Sequence, residues 1–230
     1  TPATSEVMAE MVREAWDEKE VAIFTGGPEV GQAFSALPFD HLLFTGATGV
    51  ARHIMSAAAR NLVPVTLELG GKSPVILSRD VDIDMAAQRI MLGKTLNAGQ
   101  ICLAPDYLMV PEEKLTEVVA ALKRVTADMY PTLLDNPEYT AVVNERHFQR
   151  LTDYLADAVE RGAHPEAINP AEEDFVARQG AHKIPPTLIV NPPEDSKVLE
   201  EEIFGPLLPI RTYRDFDETI AYVNAHPRPL

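Results

Sequence analysis

Cysteine is almost missing from this chain. One thiol, Cys102, stands among 230 residues. A single thiol cannot close an intrachain disulfide, so the composition suits a reducing compartment, and the cytoplasm is the expected location. Basic residues are also scarce, 20 Lys and Arg against 35 Asp and Glu, for a formal net charge of −15. That balance argues against nucleic acid or an anionic membrane surface as the main partner. No apolar run is long enough to span a bilayer. No basic start followed by an apolar run is visible either. The histidines are scattered, there is no HExxH and no second cysteine, so no metal site is expected. The G-x-S-x-G elbow of serine hydrolases is absent. So are internal repeats and low-complexity tracts.

What is present is an α/β alternation with 46% hydrophobic residues, enough for a well-buried core. A helix is expected over 5–16, a strand at "VAIFT" (21–25), a short helix after "GGPEVG", a strand at "HLLFT" (41–45), a helix from Thr48 to Arg60 and a strand at "PVTLEL" (64–69). Strands that alternate with helices imply parallel pairing in a doubly wound sheet. Nearly all-apolar strands imply helices on both faces. "GGK" (70–72) interrupts the pattern, and a domain boundary is placed there: 1–69 and 70–230. Beyond it come a strand at 73–78 and a helix with Ile83, Ala87, Ile90 and Met91 on one face and Asp82 as its N-cap. "DYLMV" (106–110) is a strand, and the next helix carries Leu115, Val118, Val119, Leu122 and Val125. The stretch 128–140 is read as irregular; a helix over 144–161, a polar, Pro-containing stretch, strands at 186–190 and 207–213, and a closing helix "FDETIAYVNA" complete the reading.

Four stretches could carry chemistry. "NAGQICLAPDY" (97–107) puts the one thiol at a break between helix and strand, with glycine before it and proline after it. Most lone cysteines are inert small hydrophobes. A Gly-containing break, however, can expose both a nucleophilic sulfur and the backbone N–H groups that a developing oxyanion needs. "LELGGKSP" (67–74) places Glu68 at a strand end before two glycines. An acid on a tight turn is the ordinary reading; a general base beside a cleft is the functional one. "FTGATG" (44–49) is a strand, a glycine turn and a helix start, a weak signal for a phosphate on free amides. "EEEIFGPLLP" (200–209) reads as a solvated acidic loop entering a strand, or as a carboxylate for a ribose diol.

Taken together and in this order, the four stretches resemble the signatures of the aldehyde dehydrogenase superfamily, and the wording "PVTLELGGKSP" and "GQICLAPDYLMV" is similar to its class 3-like branch. The resemblance covers essentially the whole chain. It implies an α/β fold in which 1–69 is the C-terminal part of a Rossmann-like NAD(P)-binding domain and 70–230 an α/β catalytic domain. It implies NAD or NADP as cofactor and oxidation of an aldehyde to the acid, with an aromatic aldehyde such as coniferyl aldehyde as the substrate it points to. Cys102 then matches the nucleophile and Glu68 the base that activates water. Glu202 matches the ribose-binding glutamate, Phe204 the aromatic beside the nicotinamide, and Leu69 the residue whose carbonyl faces it. Gly46, Ala47 and Thr48 match the turn near the pyrophosphate.

The chain departs from the family at Ala51, where the last glycine of FTGxTxxG is usual, and at Thr95, where an aromatic or aliphatic residue is usual. The family's oxyanion asparagine and cofactor-binding lysine fall before the first residue, and its C-terminal interface segment falls after the last. A fragment of a longer, homo-oligomeric protein is therefore expected, inactive and weak in NAD binding by itself. Two other functions compete. One is a thioester-forming acyl transferase, which would keep the cysteine but not need Glu68. The other is an inactive homologue acting as a structural or binding module.

Overall fold

The computed structural model describes residues 2–230. They form two compact units, 2–69 and 70–230.

The first unit runs α1 (Pro2–Ala15), α2 (Pro28–Ser35), β1 (Leu42–Thr45), α3 (Thr48–Ala59) and β2 (Val65–Glu68). β1 and β2 pair in parallel, Leu42 opposite Val65 and Thr45 opposite Glu68, with α3 as the crossover. Leu42, Ala58 and Val63 form the buried cluster, with Phe39, Ile54 and Val65 against it. Residues 21–25 are not a strand: the stretch has no regular secondary structure, and Val21 and Phe24 are exposed. β-branched and aromatic residues favour a strand only where a neighbour accepts the ladder and the side chains find packing. Nor are both faces of β1 covered, since Leu43 is 64% exposed.

The second unit holds β3 (Pro74–Ile76), α4 (Ile83–Thr95), β4 (Tyr107–Pro111), α5 (Leu115–Met129), α6 (Glu145–Glu160), β5 (Pro165–Ala167), β6 (Thr187–Val190), α7 (Lys197–Glu200), β7 (Leu207–Tyr213) and α8 (Phe216–Ala225). The sheet order is β3-β4-β7-β6-β5, parallel except for the β5–β6 pair. Successive side chains on a strand point to opposite faces. Accordingly Leu188 and Leu208 join Met91 of α4 and Leu122 of α5 on one side. Ile189 and Leu207 join Leu151 of α6 and Leu199 of α7 on the other. The result is a three-layer α/β/α unit, in which each fully buried Leu or Ile contributes about 1.5–3 kcal/mol. Asp82 caps α4 by accepting from the Met85 N–H, and Asn144 caps α6 by accepting from the His147 N–H, each at 3.0 Å. β5 and the one-turn α7 lie in stretches without a strand or helix period.

Candidate active site

The thiol loop starts where α4 ends. Asn97, Ala98 and Gly99 all have positive φ, at 53°, 52° and 73°. For the two non-glycine residues this costs about 1–2 kcal/mol each, so the surroundings must hold them there. Gly99 lies so close to the Gly205 carbonyl oxygen that an added Cβ would sit 2.4 Å from it. Gln100 secures the turn with its whole amide: Nε2 donates to the Asn97 and Ala141 carbonyls, and Oε1 accepts from the Val143 N–H. A turn from Ile101 to Ala104 then presents Cys102, half-buried and free of any disulfide. The Cys102 N–H meets no protein acceptor among the described residues. Sulfur and amide are thus both available at a break in secondary structure.

Behind the loop, Lys94 is buried in the last turn of α4 and donates to the Pro105 carbonyl at 2.8 Å. Burial pulls its ammonium down to about 8, against the opposing charge of Asp106. Thr95 is buried without penalty because its hydroxyl donates to the Met91 carbonyl at 2.7 Å. Asp106, also buried, accepts from the Ile203 N–H at 2.8 Å and from Lys72. The stretch 201–205 therefore lies beside the thiol loop.

That stretch carries Glu202 and Phe204. Glu202 is half-buried and leans on Gly70, where a Cβ would meet its Oε1 at 2.0 Å. Burial raises its carboxyl above the usual range, while the Gly71 N–H pulls the other way. Phe204 is 38% exposed with φ 46°. A carboxylate with one backbone donor and free lone pairs, followed by a partly exposed ring, fits the ribose and nicotinamide end of a dinucleotide.

This chain matches the model of the aldehyde dehydrogenase family over residues 1–230. The chain belongs to the aldehyde dehydrogenase family. It is 59% identical over 230 residues to a coniferyl aldehyde dehydrogenase of Pseudomonas, covering 100% of this chain and 48% of that one. Among solved structures, the substrate-bound AldH of Staphylococcus aureus is 38% identical with a TM-score of 0.89, covering 100% of this chain and 48% of the other. A Mycobacterium tuberculosis aldehyde dehydrogenase in complex with NAD+ is 31% identical with a TM-score of 0.75, over 85% of this chain and 41% of that one. The chain spans about half the length of the curated relatives it matches.

In the first unit, the other residues of the aldehyde dehydrogenase pattern fall on one βαβ element. The Gly46 N–H donates to the Glu68 carbonyl at 3.0 Å, which fixes the turn between β1 and α3. Ala47 is the N-cap of α3 and offers no side-chain cap; Ala47, Thr48 and Gly49 are exposed and no acid occupies the first turn. The amides of that helix start suit a phosphate. The departure at Ala51 is absorbed by packing, the methyl being 2% exposed. Glu68 ends β2 with an exposed carboxylate, and Leu69 is half-buried. Sequence reasoning overlooked Lys72, Lys94, Asp106, Arg150 and Tyr154. Lys94 left one signal, a charge inside an apolar helix pattern, and Asp106 another, an acid heading an apolar strand.

Proposed function

We propose that the protein oxidises an aldehyde to its carboxylic acid with NAD or NADP, through a covalent thioester on Cys102. The observation that carries this reading is the half-buried thiol with an unengaged N–H, on a turn held beside the Glu202–Phe204 stretch. The Cys102 thiolate, its proton lost to solvent, attacks the carbonyl carbon; the C=O π bond breaks as the C–S bond forms, and the Cys102 N–H donates to the resulting oxyanion. NAD(P), when bound, accepts the hydride that leaves the same carbon. Glu68, by the family's pattern, takes a proton from water. That water cleaves the C–S bond and releases the acid, which returns the thiol. Of this chain's residues, Glu202 would hold the ribose hydroxyls, Phe204 and the Leu69 carbonyl the nicotinamide, and Gly46, Ala47 and Thr48 the pyrophosphate.

The 59% identity to a coniferyl aldehyde dehydrogenase favours an aromatic aldehyde such as coniferyl aldehyde. Among the described residues no helix is long and apolar enough to cross a membrane. A reactive lone thiol suits the reducing cytoplasm, and a homo-oligomer belongs to the same reading. Incubating the complete protein with coniferyl aldehyde and NAD or NADP should yield reduced nicotinamide and coniferic acid. Replacing the nucleophile in Cys102→Ser should cut the rate by ~10³-fold or more, with little change in stability. Near-normal turnover in that variant would overturn the assignment.

A further inference from the structure

We infer that Lys72 and Asp106 form a positioning clamp that fixes the Glu202–Phe204 stretch against the thiol loop, and thereby sets the affinity for the nicotinamide cofactor rather than the reactivity of the thiol. The inference rests on the cofactor-binding part of the reading above.

Three chain segments meet at this pair. Asp106 lies four positions beyond Cys102, Lys72 follows the Gly70–Gly71 turn, and Ile203 stands between Glu202 and Phe204. The Asp106 carboxylate is 4% exposed and uses each oxygen once: Oδ1 accepts from the Ile203 N–H at 2.8 Å, and Oδ2 accepts from Lys72. An ammonium has three donors. Lys72 spends all three, on Asp106, on the Val198 carbonyl at 2.8 Å and on the Glu201 carbonyl at 3.1 Å. From the other side Arg150 donates to the Glu202 carbonyl at 3.0 Å and the Ile203 carbonyl at 2.6 Å. The Tyr154 hydroxyl donates to Glu201 Oε2 at 2.6 Å. The carbonyls of 201, 202 and 203 and the N–H of 203 are therefore all committed before the chain reaches Phe204.

Phe204 is where this matters. Its φ of 46° is left-handed in a residue with a bulky side chain, a conformation that persists only where neighbours over-determine it. Lys72 acts on Glu202 twice. It holds the backbone one residue upstream, and it anchors the glycine turn against which the Glu202 carboxylate leans. A buried ion pair is weak evidence for stability, since an apolar replacement of equal volume is often as stable. Fixing a geometry is what this pair adds. The thiol is set by other bonds: the Gln100 amide and the Ile101–Ala104 turn close without Lys72 or Asp106.

The test uses the complete protein with Asp106→Asn, Lys72→Met and Lys72→Arg. Asp106→Asn keeps an acceptor for the Ile203 N–H but loses the anion. Lys72→Arg keeps the charge beside Asp106 but moves the donors away from Val198 and Glu201. Calorimetric titration with NAD and with NADP reports cofactor Kd, and iodoacetamide alkylation of Cys102 reports the thiol. Asp106→Asn and Lys72→Met should raise the Kd of the preferred cofactor about 10- to 100-fold, the range known for outer contacts that orient metal ligands and taken here by analogy. Lys72→Arg should fall between them and the unaltered protein, so the inference stands or falls on this variant even if Lys72→Met does not fold. Alkylation rates should change less than about threefold, because a positioning defect confined to one segment leaves the other's geometry intact. An unchanged Kd, alkylation that shifts as much as Kd, or no cofactor binding by the unaltered protein would each overturn the inference. A protein that binds cofactor but oxidises no aldehyde would sink the proposed reaction alone, and the clamp would still be judged by Kd and alkylation.

Discussion

The two units use the same vocabulary of short apolar strands and helices, yet they bury it to different depths. In the first, α1 has no buried residue, and Val7, Met8, Met11 and Trp16 are all more than half exposed. Its two strands pair only with each other. In the second, β4 is buried along its whole length, and Leu188 and Leu208 are at most 1% exposed. An apolar period specifies which element forms. How many elements pack on it decides whether the period is buried. The residues proposed above for catalysis and cofactor binding also fall in both units: Gly46, Ala47, Thr48, Glu68 and Leu69 belong to the first, Cys102, Glu202 and Phe204 to the second.

The sharpest way to break the comparison is to ask whether the loosely packed unit carries chemistry at all. Glu68→Gln should lower steady aldehyde turnover by ~10²–10⁴-fold, the usual contribution of a general base. Rapid-mixing measurements should still find a first burst of reduced nicotinamide, because Cys102 and the hydride step are untouched. If burst and steady rate fall together, Glu68 acts earlier or only structurally. A retained steady rate would leave the first unit as a scaffold.

A second contrast concerns packing itself. Leu188→Ala removes a side chain that is 0% exposed in the larger core and should cost about 2–5 kcal/mol. Leu43→Ala, in β1 of the first unit, removes one that is 64% exposed and should stay within about 0.5 kcal/mol. Urea denaturation of the two variants in the complete protein gives both numbers. A large loss at Leu43 would mean that the open face of β1 is covered in solution, and the comparison would need redrawing.

The same contrast explains what could be read from sequence. β7 and α8 were legible to the residue, because a short apolar run behind a Gly-Pro break and a helical apolar period are both local signals. The thiol loop was legible because a glycine and a proline flank it. "VAIFT" has a strand's composition but no ladder partner, and composition alone cannot report a partner. β5 has three residues and begins with proline, so it leaves no period. Asp106 meets Ile203 across 97 positions and Lys72 meets Val198 across 126. Such pairings follow from sheet order, which no local pattern encodes. The left-handed backbone at Ala98 and Phe204 is likewise invisible, since neither residue type advertises it.

A smaller effect than the loss expected at Leu188 tests how dry the larger core is at Lys94. Its side chain is 1% exposed, with the Pro105 carbonyl as its acceptor and Asp106 and Lys72 as the charges acting on it. Burial is the main cause that takes it from 10.5 to about 8. The sign follows from proton counts. Below about pH 8 both folded and unfolded chains hold the proton, so the cost of burying the charge is constant. Between about 8 and 10.5 the unfolded chain holds more protons than the folded one, so stability from this group rises with pH. Lys94→Met removes the titration. The stability of the unaltered protein relative to that variant should therefore climb across this window by at most roughly 3–4 kcal/mol. Tyr107, which burial pushes up to about 12, titrates in both proteins and cancels in the difference. Urea denaturation of the pair at intervals from neutral to alkaline pH checks the slope. A flat difference would mean that water reaches the Lys94 ammonium, and the larger unit would then be less tightly closed beneath the thiol loop than the contrast with the first unit implies.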